Sequence, residues 1–318
     1  MTIENQKDPS ILPPGFSIGH WTDEEALTGC TVILCPTATV GGCDVRGSSP
    51  GSRELALLAS EKTMNEVHAV LLTGGSAFGL AAADGVMEYL EEHNIGYKTP
   101  WARVPIVPGA VIFDLNIGSK SIRPTGTSGY QACVDARRDA VGEGNVGAGT
   151  GATVGKWAGV ELRMKGGLGI AHAKRDRLTV AAIAVVNAVG DVIDETGAIL
   201  AGARDGNKRW VAERDPYRTF ARVSGPLLSN TTLVAIMTNA RLTKVEANRL
   251  AQRGHDGMAR AIKPVHTSFD GDVVFGLASG EVEEGFDLVA EMGADVTAQA
   301  IRRAVQMAKS VDGAPGSR

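Results

Sequence analysis

Leu178-Thr179-Val180-Ala181-Ala182-Ile183-Ala184-Val185-Val186-Asn187 forms most of the longest apolar stretch in the chain, which runs on to Val189. A strand with one wet face alternates apolar and polar residues, and this run does not, so it needs cover on both faces. That predicts a central strand inside a layered α/β protein. About a dozen residues with Asn187 among them are too few to cross a bilayer, which takes about 20.

Working outward, Thr231 to Thr238 reads as a second such strand. It is followed by a helix opening on the capping box Thr243 and Glu246, with an apolar face of Ala247, Leu250, Ala251, Met258 and Ile262. Val273 to Leu277 is a third strand and Ala290 to Lys309 a closing helix. In the first half, Thr31 to Cys35 and His68 to Leu72 are short apolar runs closed by turn-formers. Ser52 is read as the N-cap of a helix reaching about Asn65, and Leu80 to His93 as another helix. Val104 to Ile122 is extended and broken by Pro105, Pro108 and Gly109, Gln131 to Val141 is weakly helical, and Gly142 to Gly155 is a glycine-rich loop. Gly197 to Ser229 reads as a long polar surface connection.

The 318 residues are 43% hydrophobic and 21% charged, which suits a globular chain and argues against disorder. A formal charge of -4 gives no general attraction for phosphate backbones or anionic lipid, so neither nucleic acid nor membrane is expected as a partner. Met1 to Pro14 is polar and holds no apolar run of the secretory type, so a cytoplasmic protein is expected. Cys30, Cys35, Cys43 and Cys133 include no Cys-x-x-Cys pair, and no two histidines stand at the i, i+4 spacing of a helical zinc site, so no metal is expected. Asn230-Thr231-Thr232 matches a glycosylation sequon that a cytoplasmic chain would never present to the machinery.

Several motifs fit only in part. Gly142, Gly144 and Gly147 satisfy G-x-G-x-x-G without the strand before and the helix behind that a dinucleotide site needs. Gly151, Gly155 and Lys156 imitate a phosphate loop one residue short, with Trp157 where a magnesium-binding hydroxyl belongs. Gly74-Gly75-Ser76-Ala77-Phe78 follows a strand and precedes a helix, as a nucleophile elbow does, but Phe78 fills the second glycine position.

The junction at Asn230-Thr231-Thr232 has two readings. The plain one is a β-branched strand start. The sharper one is that Thr231 cuts its own chain, its hydroxyl attacking the Asn230 carbonyl and water then releasing the ester. Cleavage would free the Thr231 α-amine as a base for its own hydroxyl.

Ser229 to Ala240, Pro264 to Asp272, Gly147 to Lys156 and Val185 to Gly190 together resemble a self-processing N-terminal-nucleophile hydrolase family. That family contains L-aminopeptidase/D-Ala-esterase/amidase, the β-peptidyl aminopeptidases and nylon (6-aminohexanoate) oligomer hydrolase, the last being most alike. The likeness extends over most of the chain and is weakest over the first fifteen residues and Gly197 to Pro226. It implies a four-layer α/β/β/α sandwich, one hydrolase domain over residues 1–318, and processing into an α chain of residues 1–230 and a β chain of residues 231–318. The two chains would stay associated, usually as a tetramer of αβ units. By the same resemblance Thr231 matches the nucleophile, Lys156 a lysine that steadies it, and Asn187 an amide donating to the oxyanion. Asp270 and Asp272 match a carboxylate pair that orients the Thr231 amine and hydroxyl. In the β-aminopeptidases the equivalents are not both aspartate, so this pair sides with nylon hydrolase. From residues alone, the pair also reads as an Asp-Gly turn or a divalent-cation site, and Lys156 as a solvent-facing lysine. Phe113 stands where the family offers a tyrosine near the substrate, so a phenolic donor is missing.

The expected activity is therefore cleavage of amide bonds in short peptides or linear oligoamides such as 6-aminohexanoate oligomers, with no cofactor. The competing expectations are a β-peptidyl or L-aminopeptidase without nylon activity, and a non-catalytic nucleotide or metabolite binder using the 142–155 loop.

Overall fold

A computed structural model describes residues 11–213 and 230–317. Two five-stranded sheets lie face to face. The first is built from β1 (Ser17–Asp23), β2 (Thr28–Leu34), β4 (Ser52–Arg53), β5 (Ala69–Thr73) and β6 (Gly109–Val111), in the order β1-β2-β5-β6-β4. The second holds β3 (Val40–Val45), β7 (Gly167–Arg175), β8 (Leu178–Asn187), β9 (Thr231–Ala240) and β10 (Val273–Val282), in the order β7-β8-β9-β10-β3. Each sheet is antiparallel except for one internal parallel pair, β5 with β6 and β9 with β10.

The continuous apolar run is explained by the two layers it separates. Ala181, Ile183 and Val185 of β8 meet Ile33, Val70 and Leu72 of the first sheet in the core between the sheets. The alternate residues Val180, Ala182, Ala184 and Val186 face the other way, into a core with Leu250, Met258, Val296 and Ile301. These belong to α3 (Lys244–Ala261) and α4 (Phe286–Met307). On the far side, α1 (Ala82–Glu92) and α2 (Gly126–Val134) cover the first sheet through Val86, Leu90 and Cys133 against Val32 and Leu71. The result is the α/β/β/α sandwich. Truncating Ile183, which is fully buried between the sheets, to alanine is expected to remove about 2–5 kcal/mol.

The glycine-rich composition serves close approach of helix to sheet. A Cβ on Gly169 of β7 would sit 2.2 Å from the Ala300 carbonyl oxygen of α4, nearer than any real Cβ contact. The capping box is present, with the Glu246 backbone N–H donating to the Thr243 hydroxyl at 3.2 Å and the Thr243 N–H to the Glu246 carboxylate at 2.8 Å.

Three elements differ from expectation. Ser52 lies in β4 and only a 3-10 turn, Leu55–Leu58, follows it. Glu54 there has a left-handed backbone (φ 61°), which no helix continues through. Ile262 belongs to a short strand, Ile262–Lys263, one residue beyond α3. Helix occupies Gly126–Val134 and not the stretch to Val141. The polar connection carries a short strand, Ile199–Ala201, and its residues 214–229 lie outside those described.

Candidate active site

β8 ends at Asn187 and β9 begins at Thr231, and the antiparallel register sets those two residues opposite each other. On the other side of β9, the parallel pairing with β10 is prolonged by one step before the strands start. Asn230 bridges to Asp270, its N–H donating to the Phe269 carbonyl at 3.0 Å, and the Gly271 N–H donates to the Asn230 carbonyl at 2.8 Å. The 187, 230–231 and 270–272 segments thus meet because they are consecutive sheet neighbours.

Thr231 is only 4% exposed, and its hydroxyl donates to the carbonyl oxygen of Asn230. A Cβ built on Gly271 would stand 2.9 Å from Thr231 Oγ1 and 2.5 Å from the Ser49 carbonyl oxygen, so the loop can pass over the hydroxyl only because this residue has no side chain. Both polar atoms of the Asn230 side chain are buried without a partner among the described residues. An unpaired buried amide is unfavourable by about 1–3 kcal/mol, a load on the chain at this junction.

Lys156 opens a 3-10 turn after Gly155 and is 1% exposed. Its Nζ donates to Asn187 Oδ1 at 2.7 Å and to the Asn187 carbonyl at 3.1 Å. Burial holds this amine well below the usual lysine range against the opposing charge of Asp270, with Arg163 and Lys165 adding to the lowering. The Asn187 amide nitrogen in turn donates to the Phe113 carbonyl at 3.1 Å, and Asn187 Oδ1 also accepts the Thr153 N–H at 3.0 Å. Phe113 therefore reaches the cluster through its backbone.

The carboxylates point to different partners. Asp270 accepts from the Val189 N–H at 3.1 Å and from the Thr267 hydroxyl at 2.6 Å. Burial first, then the neighbouring charge of Asp272, push its carboxyl up to about 6. Asp272 Oδ1 accepts the Thr232 N–H at 2.7 Å, and Oδ2 accepts from His266 Nδ1 at 2.7 Å. Asn187 thus pairs with Thr231 on one side and carries Lys156 with it, while the segment of Asp270 and Asp272 runs along the other side of the 230–232 backbone. Among the described residues no group of three or more His, Cys, Asp or Glu side chains is arranged to hold a metal ion.

The sequence pattern of Peptidase family S58 matches residues 14–318. The chain belongs to that family. As an S58 peptidase it is a hydrolase acting on amide or peptide bonds. Among curated relatives, an uncharacterized aminopeptidase of Mycobacterium leprae (strain TN) is 42% identical over 331 residues, covering 95% of this chain and 91% of the relative. The 6-aminohexanoate-oligomer endohydrolase of Kocuria sp. (strain KY2) is 34% identical over 277 residues, covering 85% and 74%. A solved structure of L-aminopeptidase D-Ala-esterase/amidase from Ochrobactrum anthropi, described as a new variant among the Ntn hydrolase fold, aligns with a TM-score of 0.71 at 16% identity. It covers 96% of this chain and 89% of that one, and shows the shared fold.

Two neighbours of the candidate site escape sequence reasoning. His266 sits in the quoted block but reads as a lone histidine, because six residues of separation from Asp272 carry no recognisable period. The Gly271 N–H is a backbone group and leaves no side-chain signature. The glycine-rich loop, by contrast, spends its amides internally: Gly147 on the Thr22 hydroxyl, Ala148 on Thr31, Thr153 on Asn187 and Gly155 on the Gly190 carbonyl. Those amides are therefore not available to cradle a phosphate. Ser76 does have a left-handed backbone (φ 52°), yet no imidazole hydrogen-bonds it among the described residues. No helix of the described residues is long and apolar enough to cross a membrane.

Proposed function

We propose that the protein is a self-processing amidohydrolase in which Thr231 first cleaves the Asn230–Thr231 bond and then serves as the N-terminal nucleophile. The observation that carries this reading is the Asn230 carbonyl, which accepts from the Thr231 hydroxyl and, at 2.8 Å, from the Gly271 N–H. The hydroxyl lies next to the carbonyl it would attack, and the fixed N–H donor on that carbonyl's oxygen favours an acyl shift, because it stabilises charge as it develops there.

In the processing step Thr231 Oγ1 bonds to the Asn230 carbonyl carbon, the C–N bond to Thr231 breaks, and the departing nitrogen takes up a proton. The hydroxyl proton passes to a base, and Lys156, held as a weakly basic buried amine beside Asn187, is suited to accept it. Water then adds to the ester, leaving residues 1–230 with a carboxylate end and residues 231–318 with a free Thr231 amine. In turnover the same hydroxyl attacks a substrate amide, an amine leaves, and water hydrolyses the acyl-enzyme, with the Thr231 amine shuttling protons. Asp272 fixes the backbone next to the nucleophile through Thr232, and Asp270 fixes the segment after Asn187 through Val189.

Short peptides and amides fit the aminopeptidase names of the relatives near 40% identity, and linear oligoamides fit the endohydrolases at 34%. An aminopeptidase without oligoamide activity is the second reading, favoured by the higher identity. We place the enzyme in the cytoplasm as a tetramer of αβ units. A panel of L-alanine p-nitroanilide, a β-alanyl amide and 6-aminohexanoate dimer and longer oligomers, run with Thr231→Ala as control, separates the readings. Turnover of at least one substrate that Thr231→Ala abolishes is expected. Equal turnover by both proteins would reject the nucleophile assignment.

A further inference from the structure

We infer that His266 is a positioning residue for the nucleophile, acting through Asp272. The inference rests on the nucleophile reading above.

The geometry forms a short chain. A carboxylate oxygen can only accept, so His266 Nδ1, 2.7 Å from Asp272 Oδ2, carries the proton of that bond. The backbone N–H of His266 donates to the same oxygen at 3.3 Å. The other oxygen, Asp272 Oδ1, accepts the N–H of Thr232 at 2.7 Å, and Thr232 is the residue directly after the nucleophile. The carboxylate is thus held from both ends, one by the histidine and the other by the strand that carries Thr231. Asp272 is 1% exposed, so no water shell offers a substitute for a lost partner.

His266 is itself held in place. Its backbone is left-handed (φ 53°), a conformation that non-glycine residues seldom adopt, and such backbone strain persists where surrounding structure enforces it. Its ring packs edge-on against His255, with centroids 4.7 Å apart, and His255 is anchored on the Asp44 carbonyl at 3.1 Å. His266 Nε2 has no partner among the described residues, so Nδ1 is the ring's working atom. A histidine with a purely space-filling role would not need its proton on one particular nitrogen.

Asparagine and glutamine separate these roles. The Asn amide nitrogen falls where Nδ1 stands, whereas the Gln nitrogen falls nearer to Nε2. In the full-length chain, His266→Ala should lower kcat about 10- to 100-fold, the loss of one hydrogen bond to a charged group, with KM changed less than about threefold. His266→Asn should recover to within about threefold of the parent, and His266→Gln should stay as slow as His266→Ala. Wild-type kcat in His266→Ala, or equal recovery by Gln and Asn, would overturn the positioning role. If His266→Ala does not fold, the Asn-against-Gln comparison decides alone. Thr231→Ala is measured in parallel. An inactive Thr231→Ala beside a fully active His266→Ala removes only the positioning role, whereas an active Thr231→Ala removes the nucleophile reading and this one with it.

Discussion

Gly271→Ala perturbs the site with a single methyl group. The new Cβ would lie 2.5 Å from the Ser49 carbonyl oxygen, 2.9 Å from Thr231 Oγ1 and 3.0 Å from Pro50 Cα. Ordinary contact begins near 3.4 Å, so the methyl is about 0.9 Å too close to a backbone oxygen that cannot swing aside as a side-chain tip would. Ser49 is tied to the same loop by its N–H on the Asp270 carbonyl at 3.0 Å. Relief must therefore come from moving the 269–271 loop away from Thr231, which lengthens the Gly271 N–H bond to the Asn230 carbonyl. Misplacing one donor of this type lowers a rate about 10²- to 10³-fold. Gly271 is not among the residues with a positive φ, so alanine adds no backbone strain to confuse the reading. Intact and cleaved chains followed by denaturing gel after expression at low temperature give the rate, and thermal unfolding confirms that the fold survives. Processing of a folded Gly271→Ala at the parent rate would refute the role given to this N–H.

Two further outcomes follow from buried charge. Asp270, pushed up to about 6 by burial and then by Asp272, holds the Val189 N–H and the Thr267 hydroxyl most firmly as a carboxylate, so kcat/KM on an amide substrate should rise as pH increases through about 6. A rate that grows as pH falls below 6 would contradict this assignment. Asp191 is raised by burial from 3.8 to about 6, while its Oδ1 accepts Trp157 Nε1 at 2.8 Å and the Ala203 N–H at 2.8 Å. The folded state keeps a proton that the unfolded state has already lost between pH 4 and 6, so this group withdraws about 3 kcal/mol of stability as pH rises across that window. Asp191→Asn keeps an acceptor oxygen and lacks the titration, so its stability relative to the parent should improve by about that amount between pH 4 and pH 7. Urea unfolding at the two pH values checks this, and an unchanged difference would contradict it.

What the sequence reveals follows its periodicities. Leu178–Asn187 announces cover on both faces because no residue between Val180 and Val186 is polar, and the two cores on either side of it provide that cover. Thr243 and Glu246 mark the start of α3 because a cap is a local device. Ser52 misleads for the same reason: a good N-cap residue starts a helix only if the next backbone angles allow it, and Glu54 turns left-handed. β7 is not legible, since Gly167, Gly169 and the charged Lys174 and Arg175 blur the alternation of a strand whose glycines make room for α4. In the candidate site, residues read alone mislead, Lys156 as a solvent-facing lysine although it is buried, and only the family resemblance draws Thr231, Lys156, Asn187, Asp270 and Asp272 together, without their wiring. No spacing rule links His266 to Asp272, or Lys156 to Asn187 across 31 residues; sheet register and one tight turn do that.

The mass of the purified chain under denaturing conditions tests the central claim most directly. The account predicts two species, residues 1–230 and a fragment beginning at Thr231, from the parent, and one uncut species of 318 residues from Thr231→Ala. A parent that stays whole while hydrolysing amides, or a Thr231→Ala that divides at the same bond, would contradict it.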